Sequence, residues 1–177
     1  MRNAILIAVV CLLMMPVCSN AEKMTNMEIG VRGGGDNSGY NLKEDYVAAE
    51  IYFLKGLPWG TKIGDHTTLT TRLDMSATYL EAKDDEGCML AVGTDLALGL
   101  WDGTTEFEIG FRPTWMPKNK YGKDDFGGWL QFTSHVGLAI NWQPVTLNYR
   151  FQHTSNGSIY DLNPGLNLHM VGLGYHF

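Results

Sequence analysis

A histidine and a serine stand two residues apart near the end of the chain, at His153 and Ser155. A serine hydroxyl becomes a good nucleophile when a neighbouring base takes its proton, and histidine suits that task near neutral pH. A third polar group usually orients the imidazole. These residue types indicate acyl-transfer chemistry, provided that the fold brings both side chains to one surface.

The segment that leads into this pair alternates apolar and polar residues, which is typical of a β-strand with two different faces. His153 and Ser155 share the parity of its apolar residues, which are Val145, Leu147, Tyr149 and Phe151. In the last segment, counting back by twos from Phe177 reaches His169 and Asn167. We therefore predict that these polar residues project from the apolar face, where one loop joins two neighbouring strands. A slip of one residue in register would turn all of them to the other face.

The same period of two runs through about eight segments, each near the length of a tilted membrane strand. The polar positions of these alternating segments include many ionisable residues, which are Glu28, Glu50, Arg72, Asp74, Glu106, Glu108, Arg112, His135 and Arg150. In a soluble, exported β-sandwich or lipid carrier, the charged face would meet water. In a small membrane barrel, the apolar face meets lipid and the charges pair inside the lumen.

Three features favour the membrane barrel. The chain begins like an exported protein, its strands are long for a soluble protein, and it ends on an alternating aromatic strand at Phe177. That ending resembles the C-terminal signal read by the assembly machinery of bacterial outer-membrane barrels. We predict an all-β fold, an eight-stranded antiparallel transmembrane β-barrel in the outer membrane of a Gram-negative bacterium.

The first residues read as a cleaved signal peptide. Arg2 supplies a positive charge, residues 4–17 are mostly apolar, and Ser19-Asn20-Ala21 forms a small-residue cleavage site. We predict a signal peptide over residues 1–21 and a single barrel domain over residues 22–177. Cys88 is then the only cysteine of the mature chain, and we expect it to be a buried or lumenal residue.

Connections rich in Gly, Asn, Asp and Lys alternate with tight turns. We predict outer loops at residues 33–45, 82–87, 117–127 and 156–164, and tight inner turns at 101–103 and 142–144. Residues 55–66 are predicted as a long inner connection. The formal net charge of −6 argues against nucleic acid as a partner, because phosphate binding needs a basic surface.

The loop after Ser155 offers groups that stabilise negative charge on oxygen. Asn156 and Asn163 supply side-chain amides, and the turn at Gly157 supplies backbone N–H groups. A structural role for all of these residues is the alternative, because polar side chains near the membrane interface cost only about 0–1 kcal/mol.

The segment HTSNGSIYDLNPGLN, residues 153–167, resembles the signature of the lipid A 3-O-deacylases of the PagL type. The resemblance implies an outer-membrane esterase that removes the acyl chain at the 3-position of lipid A in the outer leaflet. It implies His153 as general base, Ser155 as nucleophile, Asn156 near the site and Asn163 as oxyanion donor. It implies neither a cofactor nor a metal, and His66, His135, His169 and His176 show no ligand spacing, so we interpret them as structural or interfacial.

One position departs from the family pattern. Asn167 stands where the resemblance implies a glutamate that completes the triad. An asparagine can orient the imidazole by accepting a hydrogen bond, but it brings no charge, and Asp161 is an alternative acid. A catalytically inactive barrel with a structural or surface-binding role is therefore the competing hypothesis. The sequence also leaves open whether the barrel forms a homodimer.

Overall fold

The structure, a computed structural model, describes residues 27–36 and 42–177. The predicted signal peptide lies outside the described residues. The described residues form ten β-strands: β1 Met27–Gly35, β2 Tyr46–Lys62, β3 Thr68–Ala82, β4 Asp85–Leu100, β5 Thr105–Trp115, β6 Lys120–Tyr121, β7 Asp124–Asp125, β8 Leu130–Trp142, β9 Val145–Ser155 and β10 Leu166–His176. Within this described part, no helix is long and apolar enough to cross a membrane.

Eight of these strands close into an antiparallel barrel in the order β1-β10-β9-β8-β5-β4-β3-β2, which confirms the predicted fold. Strands β6 and β7 form a separate small hairpin in the connection between β5 and β8. We call the end where β1 begins and β10 finishes the inner end, and there the Phe177 N–H donates to the Met27 carbonyl oxygen. The β9–β10 loop lies at the opposite, outer end.

The outside of the barrel is apolar and the inside is charged. Val31 and Val171 on the outer wall are 59% and 56% exposed, whereas Arg150 and Asp74 inside are 0% exposed. The alternative of a soluble sandwich is therefore wrong, because the charged face of a sandwich would meet water. This distribution is that of a membrane barrel, whose apolar wall faces lipid.

Ion pairs fill the middle of the lumen. The Arg150 guanidinium lies 2.9 Å from Asp74 Oδ2 and donates to Glu108 Oε1 at 2.9 Å. Arg32 donates to Glu50 Oε1 at 2.8 Å on the other side of the lumen. Such pairing offsets the cost of removing these charges from water, which would otherwise oppose folding strongly.

An apolar cluster closes the lumen at its outer end. It comprises Tyr46, Ala48, Leu80, Ala82, Met89, Met116, Tyr121, Phe126, Leu166, Leu168 and Met170. The β5–β8 connection folds inward, so that Tyr121 and Phe126 pack edge-on against Tyr46 at ring-centroid distances of 5.8 and 6.1 Å. The Tyr46 hydroxyl donates to Asp124 Oδ2 at 3.2 Å, and burial raises the pKa of the Tyr121 hydroxyl to about 12. This connection is therefore firmly held beside the β9–β10 loop.

Three predicted connections differ from the structure. Strand β2 continues through an irregularity between Gly56 and Gly60 to Lys62, so the inner connection spans only residues 63–67. The glycines of residues 33–35 extend β1 instead of beginning a loop. At the end of β3, a two-residue turn with Lys83 at φ 55° replaces the predicted loop over 82–87. Local Gly and Pro content indicated turns here, but continued pairing with a neighbouring strand outweighed it.

Cys88 is exposed, and the expectation that it is buried or lumenal is wrong. It pairs with Tyr79 of β3 and shares the outward parity of Leu90 and Val92.

Candidate active site

The outer ends of β9 and β10 carry a polar cluster on the apolar outer wall. His153 of β9 lies directly opposite Asn167 of β10, and Ser155 follows two residues further toward the outer end. Between them, Thr154 is 0% exposed and points into the lumen. His153, Ser155 and Asn167 are half-buried and project outward, on the side that the parity of the strands predicts.

A ladder of threonines inside the barrel holds the register behind this cluster. The Thr154 hydroxyl lies 2.8 Å from that of Thr133 on β8, which lies 2.7 Å from that of Thr114 on β5. The pairing of β9 with β8 and with β10 runs without a break through Thr154. Because side chains alternate along a strand, this fixes His153 and Ser155 on the outer wall.

His153 is held in one tautomer by its neighbour. Its Nδ1 lies 2.7 Å from Asn167 Oδ1, and because a carbonyl oxygen only accepts, Nδ1 carries the proton. The other nitrogen, Nε2, then has a free lone pair and makes no hydrogen bond among the described residues. This is the state in which an imidazole acts as a general base.

Ser155 makes no hydrogen bond with the His153 ring within the described part of the chain. Residues two apart on a strand are separated by roughly 6.5–7 Å, and no bulge near Thr154 shortens this separation. Catalytic hydrogen bonds are often long without substrate and tighten when it binds. A rotation of the two side chains toward each other is the movement that this geometry requires.

Asn156 supports the β9–β10 loop from below. It is 0% exposed, and its Nδ2 donates to the carbonyl oxygens of Leu162 at 2.6 Å and Phe126 at 3.1 Å. Its Oδ1 accepts from the N–H of Ser158 at 2.8 Å. Since both amide hydrogens are used, the Asn156 side chain fixes the loop to the β5–β8 connection and is not available to an oxyanion.

Asn163 and Gly157 offer the remaining donors. Asn163 Oδ1 accepts from the Asn156 backbone N–H at 3.1 Å, which leaves the Nδ2 of Asn163 without a hydrogen bond among the described residues. The same holds for the backbone N–H of Gly157, whose φ of +62° turns the chain directly after the strand. These two donors flank the end of β9 that carries Ser155.

Asp161 and His169 lie apart from the cluster. Asp161 is exposed in the loop and makes no hydrogen bond with His153 in the described part of the structure. His169 lies one step deeper on β10, where its Nδ1 is 2.7 Å from the Tyr149 hydroxyl and its ring centroid 4.9 Å from that of Phe151. The partner of His153 is therefore Asn167.

Two neighbours on β8 were missed by the sequence analysis. Ser134 lies opposite His153, and Phe132 lies opposite Ser155 and stacks on Phe111 at a ring-centroid distance of 5.7 Å. Ser134 is a polar residue among the apolar residues that face outward from its strand. A polar residue in that position is the same signal that identified His153 and Ser155. A second hydroxyl and an aromatic pair thus border the cluster on its β8 side.

Gly165 packs against the edge of the His153 ring. Its φ is +73°, and a Cβ there would lie 3.0 Å from His153 Cε1. We expect Gly165→Ala to displace the imidazole and to lower the rate of the acyl transfer predicted for this pair by about tenfold or more, because small misplacements of reacting groups are costly. The rate of acyl release by purified protein measures this effect.

Gly64→Ala is the matched control for Gly165→Ala. Gly64 has a φ of +72°, but a Cβ there would meet nothing within 4 Å. Both variants bear a similar backbone strain of about 1–2 kcal/mol, yet only Gly165→Ala touches the histidine. Equal rates for the two variants would show that Gly165 does not position the ring.

A family model described as Lipid A 3-O-deacylase (PagL) matches residues 47–176, which include both strands of the cluster. The chain belongs to the PagL family. PagL membership agrees with the resemblance in residues 153–167 and extends it across most of the barrel.

Individual PagL proteins are similar over most of their length. The chain is 23% identical over 149 residues to Lipid A deacylase PagL of Bordetella bronchiseptica, covering 81% of this chain and 84% of that protein. It also resembles a solved structure described as the crystal structure of the outer membrane enzyme PagL, with a TM-score of 0.72 and 14% identity over 84% of this chain and 98% of that one. The similarity to the solved structure concerns the fold alone, because only 14% of the residues are identical. PagL-family membership and the apolar-walled barrel make this chain an outer-membrane protein.

Proposed function

We propose that this protein hydrolyses the ester-linked acyl chain at the 3-position of lipid A, with Ser155 as nucleophile and His153 as general base at the outer-leaflet rim of the barrel. PagL-family membership supports the substrate. The observation that carries the mechanism is the 2.7 Å contact between His153 Nδ1 and Asn167 Oδ1 on the lipid-facing wall, next to Ser155.

In the first half of the reaction, His153 Nε2 takes the proton of the Ser155 hydroxyl while Oγ attacks the ester carbonyl carbon. The carbonyl oxygen becomes an oxyanion, which accepts from Asn163 Nδ2 and the Gly157 N–H. The imidazolium then gives its proton to the departing sugar oxygen. This leaves the acyl chain on Ser155 and releases the shortened lipid A.

In the second half, a water molecule attacks the acyl carbonyl carbon and gives its proton to His153 Nε2. The tetrahedral intermediate collapses, the bond to Ser155 Oγ breaks, and Oγ recovers its proton from the imidazolium. Throughout both halves, Asn167 holds the ring by accepting from Nδ1–H. The products are a free fatty acid and regenerated enzyme.

The position of the cluster suits a substrate that stays in the membrane. Acyl chains can lie along the apolar side chains of the outer wall, among them the exposed Phe111 and the half-buried Phe132 and Phe151. Polar groups at the membrane rim cost little, so His153 and Ser155 are tolerated where an ester between sugar and chain would reach them. A lumenal site would lie behind the barrel wall, out of reach of such a lipid.

Incubation of purified protein with lipid A in detergent tests this proposal. We expect release of the ester-linked 3-hydroxy fatty acid, detected by mass spectrometry together with a lipid A product that lacks that one chain. The amide-linked chains should remain, because an amide resists attack more than an ester does. Unchanged lipid A, or loss of a chain from another position, would refute the proposal.

A further inference from the structure

Three side chains that can bind a metal meet inside the barrel, on the opposite face of the wall from the candidate active site. They are Asp74 of β3, Asp95 of β4 and His135 of β8, and one donor atom of each lies within 4.8 Å of the other two. His135 Nε2 is 3.7 Å from Asp74 Oδ2 and 3.9 Å from Asp95 Oδ2. Gly110 on the intervening strand β5 leaves room for the imidazole, since a Cβ there would clash with it.

His135 is fully buried, and its Nε2 approaches two carboxylates without reaching hydrogen-bond distance. Its side chain is 0% exposed, and neither ring nitrogen makes a hydrogen bond among the described residues. A buried polar group without a partner costs on the order of 1–3 kcal/mol. Most buried polar atoms are satisfied, so this imidazole indicates a ligand between it and the two carboxylates.

The lumenal ion pairs carry an excess of negative charge. The described lumen contains four arginines, which are Arg32, Arg72, Arg112 and Arg150. It contains six carboxylates, which are Glu28, Glu50, Asp74, Asp95, Glu106 and Glu108. With neutral histidines, the difference is two negative charges in an enclosed space, where uncompensated charge is expensive. One divalent cation would balance them.

We infer that Asp74, Asp95 and His135 bind a divalent cation of the zinc class. Imidazole nitrogen and carboxylate oxygen are both ligands of Zn²⁺, and water can fill the fourth position of a tetrahedral site. Ligand bonds of about 2.0–2.2 Å in a tetrahedral site separate the donor atoms by roughly 3.3–3.6 Å. The three donor atoms, which lie within 4.8 Å of one another, would therefore draw together when the ion binds.

The arginines act as outer partners of this site. Arg150 donates to Asp74 Oδ2 at 2.9 Å, and Arg72 donates to Asp95 Oδ2 at 2.8 Å. Each carboxylate oxygen keeps a second lone pair for the metal, and outer hydrogen bonds of this kind orient metal ligands. The bound ion would link β3, β4 and β8 across the lumen, so its effect is on stability and not on ester hydrolysis.

A cavity of about 50 Å³ lies at the inner end of the lumen, and Arg72 in its lining binds Asp95. The outer end is closed by the apolar cluster around Tyr46 and Phe126.

Zinc retention by the folded protein tests this inference. Protein folded in detergent is stripped with a chelator, exposed to Zn²⁺, desalted and analysed for metal by mass spectrometry. We expect about one tightly held zinc per chain and a higher temperature for loss of the folded gel band when zinc is bound. His135→Gln should lower zinc retention by about tenfold or more and remove the thermal shift.

His176→Gln is the matched control, because it changes a lumenal histidine that lies outside the cluster. It should retain zinc as the unchanged protein does. If His135→Gln does not fold, Asp95→Asn replaces it, with the same expected loss. A protein that retains no zinc, or equal retention by the cluster variant and His176→Gln, would overturn the inference.

Discussion

Replacing His153 by alanine should lower kcat for release of the 3-linked acyl chain by about 10³-fold, the size typical of a lost general base. Without Nε2, no group near Ser155 takes the hydroxyl proton, so the nucleophile stays weak. The expected result is a loss of kcat more than a rise in KM, because the imidazole acts in the transition state. Purified protein at saturating lipid A in detergent, with fatty acid release quantified by mass spectrometry, measures it.

A double variant sharpens this prediction. In the proposed mechanism His153 and Ser155 act as one unit, so His153→Ala with Ser155→Ala should be about as slow as either single variant. His169→Ala is the matched control on the same wall, because its ring bonds Tyr149 and not the cluster. If the two losses multiply, or if His169→Ala is as slow as His153→Ala, the assignment of the base is wrong.

Asn167→Leu should lower kcat by about 10²-fold, the second largest effect expected. Leucine has a similar size but no acceptor for the Nδ1–H of His153, which Asn167 Oδ1 holds at 2.7 Å. The ring would then rotate and exchange tautomers, and correct orientation of a catalytic group contributes a large share of the rate. The same fatty acid assay, with folding checked by heat-dependent gel migration, gives the result.

Asn167→Glu tests the charge at this position. A carboxylate accepts the same hydrogen bond and also stabilises the imidazolium that forms when His153 takes a proton. Charge-assisted hydrogen bonds are roughly twice as strong as neutral ones, so we expect a gain in kcat of about tenfold. If Asn167→Leu and Asn167→Glu both have the kcat of the unchanged protein, then Asn167 has no role in orienting the base.

Alternation along the strands made much of this architecture predictable. His153 and Ser155 share parity with Tyr149 and Phe151, so a closed barrel with an apolar exterior leaves no other face for them. The tight inner turns at 101–103 and 142–144 were predictable because Gly and Pro stand between clearly alternating segments. The resemblance in residues 153–167 agrees with the family that residues 47–176 match.

Contacts between distant segments were not predictable from local pattern. The burial of Asn156 beneath the loop arises because the β5–β8 connection folds into the barrel mouth and presents Phe126 O to it. Asp95 was overlooked because its nearest neighbours on the lumen-facing side of β4, Gly93 and Ala97, are small and do not mark that side as charged. Its meeting with Asp74 and His135 depends on barrel closure, which sequence spacing does not encode.

The central claim is that Ser155 on the lipid-facing wall carries out the hydrolysis. Its most direct test is mass spectrometry of lipid A from Gram-negative cells that express the unchanged protein, Ser155→Ala or Ser134→Ala at equal levels in the outer membrane. Ser134 is the matched control, because it is a serine on the same wall, opposite His153. We predict loss of one 3-linked hydroxyacyl chain with the unchanged protein and with Ser134→Ala, and intact lipid A with Ser155→Ala. Continued deacylation by Ser155→Ala, or intact lipid A with the unchanged protein, would contradict the account.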